Sequence, residues 1–153
     1  MDIERGPGFE AYVGRSSRAE HEEMLASPRY AYLIGERGDE AAGFALLRDL
    51  EDPYGNLYLK RIAVRRPGQG EGSALLAAVL DWAFERTRAH RFHLDCLDDN
   101  LRAQALYAKL GFTRDGVLRK AYLDPGGRRR DLVLMALLRG EWEARKRASP
   151  PGA

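Results

Sequence analysis

Between positions 62 and 73 the chain reads Ile62, Ala63, Val64, Arg65, Arg66, Pro67, Gly68, Gln69, Gly70, Glu71, Gly72, Ser73. No other segment limits the fold so tightly. From Ser73 onward Leu76, Val79, Leu80, Ala83 and Phe84 recur at the spacing of an amphipathic helix. An apolar strand therefore runs into three alternate glycines and straight into a helix, an order that points to mixed α/β architecture. Glycines let the backbone wrap a ligand with its N–H groups exposed, and the free N–H groups and positive dipole end of the helix face the same point. The segment suits an anion such as a phosphate.

Three phosphate or loop readings compete there. A nucleotide-triphosphatase loop ends in Gly-Lys-Ser/Thr, whereas Gly72 is followed directly by Ser73. A dinucleotide fold places Gly-x-Gly-x-x-Gly after the first strand, whereas these glycines alternate and follow three expected strands. The third reading is a flexible strand-to-helix connection with no ligand, since glycine is common in ordinary loops.

The remaining elements follow from local signals. Ser17 and Glu20 form a capping-box pattern opening a short helix to about Ala26. Strands are expected over 30–34 and 44–50, separated by a turn-rich stretch from Gly35 to Gly43, and over 56–64 after the turn at Asp52, Pro53, Tyr54 and Gly55. The glycine-led helix should run to the 87–90 region. Residues 91–97 alternate apolar Phe92, Leu94 and Cys96 with polar His93 and Asp95, as a strand does. Asp98, Asp99 and Asn100 then offer cap chemistry for a helix stopping at Leu110 and Gly111. Two last strands, 113–123 and 128–138, flank the turn residues Asp124, Pro125, Gly126 and Gly127. The expectation is a single α/β domain over 1–153, with a core of about 12–140 and flexible tails at 1–8 and 147–153.

Composition removes several function classes. The 153 residues are 44% hydrophobic, enough for one core. The longest apolar runs, such as that from Ala74 to Leu80, are far short of the roughly 20 residues of a membrane span, and no basic-then-apolar start marks a signal peptide. A soluble, cytoplasmic protein with no membrane partner is expected. One cysteine and three scattered histidines give neither an internal disulfide nor metal-ligand spacing. Basic residues number 25 against 23 acidic ones and are interleaved with them, so no specific nucleic acid is expected as a partner. A basic RNA-binding surface at Arg128, Arg129 and Arg130 is the competing idea, and it predicts steep salt dependence.

The glycine segment resembles the acetyl-CoA motif of the GCN5-related N-acetyltransferase (GNAT) superfamily, Arg/Gln-x-x-Gly-x-Gly/Ala followed by a helix. Gly70 and Gly72 match its two glycines. Pro67 stands where the family has Arg or Gln, with Arg65 and Arg66 just upstream as candidate substitutes. A second segment, Asn100, Leu101, Arg102, Ala103, Gln104, Ala105, Leu106, Tyr107, Ala108, Lys109, Leu110, Gly111, Phe112, resembles the superfamily's Asn-x-x-Ala-x-x-Leu-Tyr-x-x-x-Gly-Phe helix. The resemblance spans about 30–138, and its ending is most similar to ribosomal-protein and polyamine acetylases. It implies a mixed, mostly antiparallel sheet with a splayed parallel strand pair at its centre, formed by 56–64 and 91–97, and helices on both faces. It further implies acetyl-CoA as co-substrate with no metal. The backbone of Ile62, Ala63 and Val64 would pair with the pantetheine arm, Gly68, Gln69, Gly70, Glu71, Gly72 and Ser73 would cradle the phosphates, and Asn100 and Tyr107 would add contacts.

The implied reaction is acyl transfer from a thioester to a primary amine of a small molecule or a protein N-terminus. An alkyl ammonium titrates near 10, as lysine does, and must lose a proton before it attacks. Asp95 is the candidate base, on the resemblance to an acidic residue of the ribosomal-protein acetylases; a water relay and a plain strand-end hydrogen bond are the competing roles. Tyr107 is the candidate acid for the departing thiolate, against a reading as a packed aromatic. Asn100 caps its helix whether or not it touches the cofactor. Cys96 shares the apolar phase of its strand and reads as an inert core thiol. His93 reads as a surface or interface residue. Glu51, Asp52, Asp95 and Asp98 are candidates for a cation-attracting mouth, against solvated loop charges. The chain starts late relative to the family, so an acceptor wall would be reduced or supplied by a partner subunit, as in a homodimer. A non-catalytic acyl-CoA-binding sensor or scaffold is the alternative function.

Overall fold

The computed structural model describes residues 16–149; the expected tail at 1–8 lies outside them. Its elements are α1 (Arg18–Ala26), β1 (Tyr30–Arg37), β2 (Glu40–Arg48), β3 (Asn56–Val64), α2 (Glu71–Arg86), β4 (Arg91–Leu97), α3 (Leu101–Lys109), β5 (Thr113–Leu123), β6 (Arg129–Leu138) and α4 (Arg139–Ala148). The strands form one six-stranded sheet in the order β1-β2-β3-β4-β6-β5, antiparallel throughout except for the central pair β3 and β4.

Both helix-start signals act as read. The Ser17 side chain accepts from the Glu20 N–H while the Glu20 carboxylate accepts from the Ser17 N–H at 2.6 Å, and Asn100 accepts from the Ala103 N–H at 3.2 Å. Each satisfies donors that a helix start leaves unpaired. The structure corrects the first hairpin. The stretch from Gly35 to Gly43 is not a long turn, because both strands continue to a tight reversal at Gly38 and Asp39. Gly35 and Gly43 face each other inside the pairing. A Cβ on Gly43 would stand 2.8 Å from the Ala63 carbonyl oxygen and 3.0 Å from a Leu75 methyl, so this glycine permits close helix-on-sheet approach rather than a turn.

Two cores form, one on each face. The larger joins Ala45, Leu47, Leu57 and Leu59 to Leu76, Val79, Leu80 and Phe84 of α2, to Phe92, Leu94 and Cys96 of β4, and to Tyr107 of α3. The smaller joins Met24 of α1 to Phe44, Leu46 and Ala63. On β3 the phase changes midway, with Leu57 and Leu59 in the larger core and Ala63 in the smaller. The cause is a bulge: Leu47 pairs with Leu59 and Leu46 with Arg61, leaving Lys60 between them.

The helix α4 is not foreseen by the sequence reading, which ends the core near residue 140. Trp142 packs on Phe84 with ring centroids 5.3 Å apart. Arg139 donates to the carbonyls of Phe84, Thr87 and Ala89, binding the negative end of α2 with a cation. Among the described residues no helix is long and apolar enough to cross a membrane.

Candidate functional site

The parallel pairing of β3 and β4 is short. It joins Asn56 to Arg91, Leu57 to Phe92 and Tyr58 to His93, and goes no further. Beyond the Lys60 bulge β3 stays bonded to β2, and β4 stays bonded to β6, so the facing edges of the two strands part. Their unpaired backbone groups border a cleft of about 440 Å³. Unsatisfied strand edges of this kind are an established place for an extended ligand to add hydrogen bonds.

The cleft collects most of the residues singled out from the sequence. Ile62, Ala63, Val64, Gly68, Gly70, Gly72, Ser73, Asp95, Asn100 and Tyr107 all line it. Gln69 and Glu71 do not. The Glu71 carboxylate is instead drawn to Arg37, across from the start of α2. Gly70 caps α2 with φ +81° and no side-chain bond, and a Cβ at Gly70 or Gly72 would meet nothing within 4 Å. The loop is therefore open to a ligand approaching its N–H groups.

The polar chemistry gathers where the strands part. Asp95 accepts a 2.9 Å hydrogen bond from the Tyr58 hydroxyl. Sequence reasoning missed Tyr58; its only signal is its place in the polar phase of β3, level with His93. The Tyr58 ring lies 5.1 Å from that of His93 and 4.7 Å from the Arg48 guanidinium carbon. Burial and the neighbouring Asp95 carboxylate raise the Tyr58 pKa well above its usual value, so it remains a donor. Tyr107 is only 8% exposed, and burial, with Cys96, Asp95 and Tyr58 nearby, likewise raises its pKa. Cys96, in the apolar phase as read, has its thiol pushed up to about 11, chiefly by burial, which keeps it protonated and unreactive. His93 is not a free surface residue. Burial and then the Arg91 charge lower its pKa, and its Nδ1 is buried without a hydrogen bond.

The expected ring of mouth acids is not assembled. Asp52 closes its own turn, accepting from the Tyr54 and Asn56 N–H groups, and Asp98 lies 3.6 Å from Arg130. Asp95 alone of the four lines the cleft. The arginines of the final hairpin are likewise engaged in part, Arg128 with Asp124 and Arg130 with Asp99.

Comparison with known proteins agrees with this geometry. Residues 2–112 match the Acetyltransferase (GNAT) family. A curated relative, the mycothiol acetyltransferase of Kineococcus radiotolerans, is 39% identical over 82 residues, covering 54% of this chain and 26% of its own length. The chain thus spans about a quarter of that relative. The ribosomal-protein-S18-alanine N-acetyltransferase of Escherichia coli superposes with a TM-score of 0.73 at 27% identity, over 90% of this chain and 83% of the other. The spermidine N-acetyltransferase of Vibrio cholerae, solved with CoA and spermine, gives a TM-score of 0.73 at 21% identity, over 84% and 79%; at that identity the likeness concerns the fold. A family match over most of its length, on a fold with the parted central strands, makes this chain a member of the Acetyltransferase (GNAT) family.

Proposed function

We propose that the chain transfers an acetyl group from acetyl-CoA to a primary amine, by direct attack with both substrates bound together. The observation that carries this reading is the convergence of Asp95, Tyr107 and the open glycine loop on one cleft between unpaired strand edges. The residues present fit the cofactor. Backbone groups of Ile62, Ala63 and Val64 offer partners to an amide-bearing arm, the N–H groups at Gly68, Gly70, Gly72 and Ser73 suit its phosphates, and Asn100 borders the same space. When bound, acetyl-CoA supplies an activated thioester and a thiolate leaving group.

The chain's own side chains would then move two protons. Asp95 accepts the proton that the ammonium must lose, directly or through a water, while Tyr58 holds the carboxylate in place. The amine nitrogen forms the new bond to the acyl carbon as the carbon–sulfur bond breaks. Tyr107, kept protonated by its burial, donates to the departing sulfur. Similarity to an enzyme whose name specifies a ribosomal-protein alanine supports a protein N-terminus as the acceptor, and a small polyamine is the other primary amine to be offered.

Two measurements test this. Calorimetric titration with acetyl-CoA should show binding of about −8 kcal/mol, near micromolar, lost in Gly72→Trp, which adds a large ring at a cleft-lining position where a Cβ meets nothing within 4 Å. Thiol release from acetyl-CoA should rise when a panel of polyamines and N-terminal peptides is added. Binding without any amine-dependent thiol release across that panel would reject the catalytic reading.

A further inference from the structure

We propose that Arg102, from the first turn of α3, supplies the cationic side-chain contact to the cofactor's diphosphate that Pro67 cannot make; the inference rests on the acetyl-CoA reading above. Pro67 has neither a side-chain donor nor a backbone N–H. The two arginines before it do not replace it. Arg65 donates to the Ala41 carbonyl at 2.6 Å, and Arg66 does not line the cleft.

Arg102 does line it. Its Nη2 stands 3.1 Å from where a Cβ on Gly68 would be, so the guanidinium lies directly over the loop. No described residue forms an ion pair with it, and α3 carries no acid in its first turn. A cation at the positive end of a helix is electrostatically disfavoured. Here it also faces the start of α2, whose one first-turn acid, Glu71, is held by Arg37. An anion held beside Gly68 and the guanidinium would reverse that cost, and the planar fork of arginine matches phosphate oxygens. Gly68 itself sits at φ +85°, which favours glycine there, and its missing side chain leaves the guanidinium room over the loop. The diphosphate rather than the ribose phosphate is assigned because Arg102 shares Gly68 with the backbone cradle.

Calorimetry on the full chain with CoA, dephospho-CoA and pantetheine, for wild type, Arg102→Ala and Arg102→Lys, tests the assignment. Arg102→Ala should weaken CoA and dephospho-CoA alike, by about tenfold, and leave pantetheine unchanged. Arg102→Lys should recover part of the loss, and the wild-type advantage should shrink at about 1 M salt, where exposed charges are screened. An exposed helix position should tolerate both changes, which a thermal melt checks. Equal CoA affinity in wild type and Arg102→Ala would overturn the inference alone. Loss confined to CoA, with dephospho-CoA unaffected, would overturn the diphosphate assignment in favour of the ribose phosphate. A parallel loss for pantetheine would reduce Arg102 to a packing role. Failure of wild type to bind CoA at all would instead remove the cofactor reading on which the inference stands.

Discussion

Gly43→Ala should destabilise the protein, and the contacts around it set the size of the effect. The added methyl would meet the Ala63 carbonyl oxygen at 2.8 Å, a Val64 methyl at 2.9 Å and a Leu75 methyl at 3.0 Å. The first is backbone held in the β2–β3 ladder, so the strain cannot be relieved by a side-chain rotation. Overpacking of this kind costs about 1–3 kcal/mol. Replacing glycine also removes unfolded-state freedom, returning about 0.4–1 kcal/mol. Gly35→Ala separates the two effects. It carries the same entropic gain on the paired strand, but its only close neighbour is a Leu75 methyl at 3.0 Å, which can turn aside. The two variants should therefore differ by about 1–3 kcal/mol, or roughly 2–4 °C in Tm per kcal/mol for a chain of this size. Urea and thermal unfolding of the pair would measure it. If Gly43→Ala is as stable as Gly35→Ala, the close contact with the Ala63 carbonyl is not what this glycine relieves.

Tyr107→Phe should lower kcat about tenfold to a thousandfold, because a thiolate already leaves well and the acid adds only part of the acceleration; acetyl-CoA affinity should stay within about threefold, and an unchanged kcat would make Tyr107 a packing residue. The His93 pKa is lowered by burial, so around its unfolded value near 6.5 the unfolded chain binds more protons than the folded one and stability falls as the pH drops through that window. His93→Gln should flatten the dependence between about pH 7 and 5.5, and denaturation curves across that range that stay parallel to wild type would contradict the assignment.

The sequence by itself determined the elements whose causes are local. The strand at 56–64, the strand at 91–97 and the cap at Asn100 appear where alternation and side-chain capping put them, because those signals act within a few residues. The glycine run announced an open loop ahead of a helix for the same reason, and the two motifs together carried the family resemblance. Tertiary structure decided what depends on neighbours far along the chain. Gly35 and Gly43 read as turn residues because the signal for a turn and for a close approach is the same missing side chain, and only the position of Leu75 distinguishes them. The helix α4 carries too few apolar residues to announce itself, and its Trp142 and Arg139 find Phe84 and the α2 carbonyls more than fifty positions away. Tyr58 meets Asp95 because β3 and β4 pair in parallel with Tyr58 level with His93, and the cleft opens where a bulge at Lys60 breaks the two-residue period of β3. Register and its interruptions are properties of paired strands, so no single strand's sequence could state them.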